Sequence, residues 1–95
     1  MTANKNAYIE AMKTQLDELN ANLNKLEARA EEAKGDARQA YFEEMRKLRH
    51  QSKLAQAKFD ELKAASESAW DSMVAEMDKV RDALVHSFHY FKSQL

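Results

Sequence analysis

The 95-residue chain has no cysteine, no proline and a single glycine, Gly35. Without cysteine there are neither disulfides nor thiolate metal sites. With no proline and one glycine, little in the chain stops a helix once it has begun. The same scarcity excludes a glycine-rich phosphate loop. No uninterrupted apolar run approaches the ~18–20 residues of a membrane span. Residues 1–6, Met-Thr-Ala-Asn-Lys-Asn, lack the apolar stretch of a secretory signal. The expected setting is soluble and cytoplasmic. An excess of one charge is missing too, since 15 basic residues face 16 acidic ones. Nucleic-acid binders gather a basic patch well beyond such a balance, so no nucleic-acid partner is expected.

What the chain does have is an apolar residue every three or four positions. The stripe runs through Ile9, Met12, Leu16, Leu19, Leu23, Leu26, Ala30, Ala33, Ala37, Tyr41, Met45, Leu48, Ser52, Ala55, Phe59 and Leu62. It continues through Ala69, Met73, Met77, Val80, Leu84, Phe88, Phe91 and Leu95. Alternating steps of three and four mark one face of an α-helix, and their persistence marks coiled-coil or bundle packing. One helix cannot bury its own stripe, so helices must pack together, within the chain or between copies. The fold class is all-α: a long amphipathic helix or a helical hairpin, in a coiled-coil or bundle assembly.

One helical unit spans 1–95, with a heptad segment over 1–65 and an amphipathic C-terminal helix over 66–95. In the first segment Ile9, Met12, Leu16, Leu19, Leu23, Leu26, Met45, Leu48, Phe59 and Leu62 form the expected oligomer seam. Between them Ala33, Ala37, Tyr41 and Met45 follow by fours, the mark of a stutter that relaxes supercoiling. Lys34-Gly35-Asp36 is a meagre turn signal. Ser68 with Asp71 resembles a capping box, and beyond it the spacing becomes 4,4,3, an eleven-residue repeat. The preferred expectation is one continuous helix of about 130 Å. A reversal at Gly35 or a bend over 64–71 are its alternatives.

In the second segment Trp70, Met73, Met77, Val80, Leu84, Phe88 and Phe91 make a broad apolar face, wider than a coiled-coil seam. It reads as a surface for a client protein or a membrane, or, preferably, as a helix buried against its own neighbours. Attraction to anionic lipid is expected to be weak, because acidic residues outnumber basic ones on the polar side. That side carries Asp78, Asp82, His86 and His89. Asp82, His86 and His89 have the i, i+4 geometry of metal ligands, but a solvated face is the preferred reading and no cofactor or metal is expected. Glu31-Glu32 and Glu43-Glu44 are paired carboxylates on exposed turns, without the pocket that catalysis needs. An enzyme is not expected.

The runs Ala7-Tyr-Ile-Glu-Ala-Met-Lys-Thr-Gln-Leu-Asp-Glu-Leu-Asn20, Leu26-Glu-Ala-Arg-Ala-Glu-Glu-Ala33, Lys58-Phe-Asp-Glu-Leu-Lys-Ala-Ala-Ser66 and Ala69-Trp70-Asp71 carry a family resemblance. Over nearly its full length, the chain resembles the small bacterial stress-response coiled-coil proteins of cyanobacteria and proteobacteria. The resemblance implies a cytoplasmic, all-helical, stress-associated protein and brings no catalytic residues with it. The expected function is a self-associating scaffold or client-shielding protein. The alternatives are a peripheral lipid binder and a metal or pH sensor.

Overall fold

Three helices account for nearly all of the chain: α1 (Thr2–Glu32), α2 (Asp36–Lys63) and α3 (Glu67–Gln94). The computed structural model describes residues 2–94, with side-chain environments from Lys5 to Gln94. Met1 and Leu95, the last stripe residue, lie outside the described residues. The helices run up, down and up, so α1 and α3 are parallel and α2 is antiparallel to both. Polar contacts fix this order: Arg49 on α2 reaches Asn20, Asn24 and Glu27 on α1, Lys58 on α2 reaches Glu76 on α3, and Gln15 on α1 meets Arg81 on α3.

The continuous helix is therefore corrected to a bundle measuring 52 × 18 × 17 Å. Burial energy decides the outcome. Each reversal loses a few backbone hydrogen bonds, worth ~0.5–1.5 kcal/mol apiece. Each large apolar side chain that leaves water gains ~1.5–3 kcal/mol, and among the described residues fifteen apolar ones are buried in a single core. A rod leaves all of them wet unless other copies cover it, and then it bears the cost of association.

The first turn occupies residues 33–35. The Ala33 N–H donates to the Ala30 carbonyl at 3.2 Å as α1 ends. Gly35 then adopts φ 66°, ψ −143°, a region essentially closed to residues with a Cβ. The apparent stutter is this turn: the spacing by fours from Ala33 to Ala37 spans a break, not a relaxed coil. The second turn, residues 64–66, has no left-handed residue, and Ala64 closes α2 in the right-handed region. The expected capping box is also displaced. α3 begins at Glu67, and Ser68 pairs with the Ser66 hydroxyl at 3.1 Å.

Candidate interaction surface

Every described stripe residue can be placed. Met12, Leu16, Leu19, Leu23, Leu26, Met45, Leu48, Phe59 and Leu62 of the expected seam are buried in the chain's own core, and Ile9 packs half-buried against it. The seam is thus already covered without a second copy. The C-terminal face has the same fate: Met77, Leu84, Phe88 and Phe91 are buried, while Trp70, Met73 and Val80 lie against the core. Its breadth has a simple cause. α3 faces both α1 and α2, and two neighbours demand a wider apolar arc than one.

One member of the polar stripe of α3 is tied into the bundle. Asp78 accepts a 2.6 Å hydrogen bond from the Tyr8 hydroxyl on α1. Arg81 holds Asp82 at 2.9 Å, lies 4.0 Å from Asp78, and donates to the Gln15 side chain at 2.9 Å. Asp82, His86 and His89 are all exposed. Among the described residues no group of three or more His, Asp or Glu is gathered as a metal site would need.

Sequence reasoning missed the contacts that join the helices. Around Tyr8, the Trp70 ring stands edge-on at 5.8 Å and the Lys5 ammonium sits 5.0 Å from the Trp70 centroid. Burial first, and then the bond to Asp78, push the Tyr8 phenol well above its ordinary value of 10.0. On the other side, Arg49 pairs with Glu27 at 2.6 Å and donates to Asn24 at 2.5 Å and Asn20 at 3.2 Å. Lys58 is held by Glu76 at 3.0 Å and Glu61 at 3.2 Å, and these bonds raise its ammonium above 10.5. Near the far end, the Tyr41 ring meets Phe91 at 5.7 Å and its hydroxyl donates to the Gln94 carbonyl. Partners 70 residues apart leave no mark on local spacing.

The outer surface offers grooves rather than a cleft. One, of about 270 Å³, lies between α2 and α3 and is lined by Glu44, Lys47, Leu48, Gln51, His86, Ser87 and Tyr90. Gln51 Oε1 is buried there without a hydrogen-bond partner. Among the described residues, Tyr90 and Leu54 are the large apolar side chains left exposed, at 62% and 52%. Among the described residues no helix is long and apolar enough to cross a membrane.

The fold defines a three-helix bundle whose apolar surface faces inward and whose helices are joined at the rim by polar clasps. Comparison with family models, curated proteins and solved structures gave no match to this chain.

Proposed function

We propose that this is a non-enzymatic, stress-associated, cytoplasmic helical protein that shields client proteins and associates with itself through apolar surface stored inside its bundle. The observation that carries this reading is the placement of fifteen buried apolar residues in one core among the described residues, six of them on α1: Met12, Leu16, Leu19, Leu23, Leu26 and Ala30. α1 meets α3 through clasps of partly buried and exposed groups, Tyr8 with Asp78 and Gln15 with Arg81. Loosening those clasps uncovers a stripe that meets any apolar surface without directional demands. The stress setting rests on the family resemblance.

Aggregation of a heat-labile reporter enzyme, followed by light scattering with increasing amounts of the chain, tests the reading. The expected result is suppression that starts as the bundle loosens, with an earlier onset for Tyr8→Phe. Reporter aggregation that proceeds at the same rate with or without either protein sinks it. Co-sedimentation with anionic vesicles, in the absence of reporter suppression, favours the lipid alternative instead. Gain of helix on vesicles discriminates poorly, because the closed chain is already helical.

A further inference from the structure

We propose that α1 exchanges between two copies of this chain, by straightening of the turn at Gly35, to give a dimer built on a single α1–α2 helix in each copy. This deepens the self-association reading above by naming the surface and the partner.

Four observations at one place point to it. The turn is short and rests on one residue, Gly35, at φ 66°. A Cβ built there meets nothing within 4 Å, so the glycine serves backbone geometry and not a close approach. The surrounding residues, 28–34 and 36–40, are mostly alanine, glutamate, arginine and lysine, which favour helix, and α2 starts without a side-chain cap. Straightening returns helical partners to the N–H and carbonyl groups orphaned at the two helix ends.

The fourth observation concerns Ala37. Of all the stripe residues in the described chain it is the one left exposed, with Ala33 beside the turn half-buried. In a straight α1–α2 helix, Leu26, Ala30, Ala33, Ala37, Tyr41 and Met45 follow one another along one face. Two such helices, antiparallel about a two-fold axis near Gly35, bring their alanines together at the crossing. The small side chains permit close approach, and Ala37 becomes covered.

Everything else is conserved by the exchange. In the closed chain Arg49 faces Asn20, and their sequence midpoint falls at the turn. The same clasp then forms twice between copies, as does the pairing of Tyr8 with Asp78. The free-energy difference between closed and exchanged forms therefore lies in the hinge, the new crossing and the cost of association. Short hinges between packed elements are prone to exchange.

The experiment uses the full chain, its Gly35→Ala variant, the Gly35→Ala/Asp36→Pro double variant and Ala37→Glu, each cooled slowly from heat at high concentration. Light scattering gives mass, small-angle X-ray scattering gives the longest dimension, and circular dichroism gives helix content. Gly35→Ala strains the closed turn and favours the straight helix, and each dimer holds two hinges. Its association constant is expected to rise on the order of 10-fold or more. The product should have twice the 11.0 kDa monomer mass and a longest dimension near 95 Å, set by ~62 helical residues. Proline at position 36 suits the first turn of α2 but cannot continue a helix from α1, so the double variant should return to monomer. Ala37→Glu should lower dimer formation while keeping the wild-type melting midpoint.

A Gly35→Ala chain that stays monomeric, or that loses helix without gaining mass, overturns the exchange. So does a dimer near 55 Å long, or one that the proline leaves intact. Such a compact dimer would leave self-association standing while removing this route to it.

Discussion

Leu23 and Leu62 are fully buried, and nothing polar relieves the hole that a smaller side chain would leave. Leu23→Ala should cost about 2–5 kcal/mol, read as a lowered denaturant midpoint. For a chain of this length, total stability is roughly 5–14 kcal/mol. Leu19→Asp with Leu23→Asp, which sequence alone would offer as a way to dissolve an oligomer, should therefore unfold the monomer. Tyr8→Phe is gentler. It removes the hydroxyl from Asp78 and should cost about 1–2 kcal/mol at neutral pH. Its pH signature is sharper. A phenol raised in the folded state contributes stability that is complete below the unfolded value of 10.0 and declines as pH rises beyond it. Lys58, raised by Glu76 and Glu61, acts in the same direction from 10.5 upward. Denaturation midpoints measured from pH 8 to 11.5 should fall less steeply above pH 10 in Tyr8→Phe than in the wild-type chain. Equal slopes would contradict the assigned clasp.

At the scale of helices, the stripe itself was legible and the turns were not. Heptad steps through Leu16, Leu19, Leu23 and Leu26 announced the buried face of α1, and the 4,4,3 steps announced that of α3. The turn at residues 64–66 is written in Ala-Ala-Ser, residues that sit comfortably in a helix. Gly35 alone costs a helix only about 1 kcal/mol. Local preference thus left the continuous rod ahead, and tertiary burial overruled it, as packing commonly overrules propensity. The clasps of Arg49 and Tyr8 were out of reach for another reason: they join residues 22 to 70 positions apart, beyond any helical period. Ser52, half-buried on the stripe beside Leu16, Asp17 and Asn20, interrupts the apolar face of α2. Ser52→Leu should stabilise the bundle by about 1 kcal/mol, seen as a higher thermal midpoint. A lower midpoint would mean that the groove beside α1 cannot take the added volume.

For the molecule as a whole, length and thickness separate the possible assemblies. A spherical domain of this size has a radius of gyration of about 12 Å, and one straight helix of the same length about 40 Å. The bundle, at 15.5 Å over its Cα atoms, lies close to the compact limit. Small-angle scattering from dilute solution should return a value slightly above that figure, with a mass near 11.0 kDa. A radius above about 30 Å at monomer mass would restore the rod and dismiss the closed core. Near-neutral net charge also implies that added salt changes stability little, since exposed pairs contribute only ~0–1 kcal/mol each and are readily screened.

Among the described residues no polar or charged side chain is buried whole, and Gln51 Oε1 is the polar side-chain atom buried without a partner. An interior of that kind is indifferent to the identity of whatever grease it meets. The molecule's ability to tell its own first helix from a stranger's must therefore reside in the few hydroxyl, amide and guanidinium groups around its edge. Strip those away and the sequence should still make helices, but ones that slide along each other and accept substitutes.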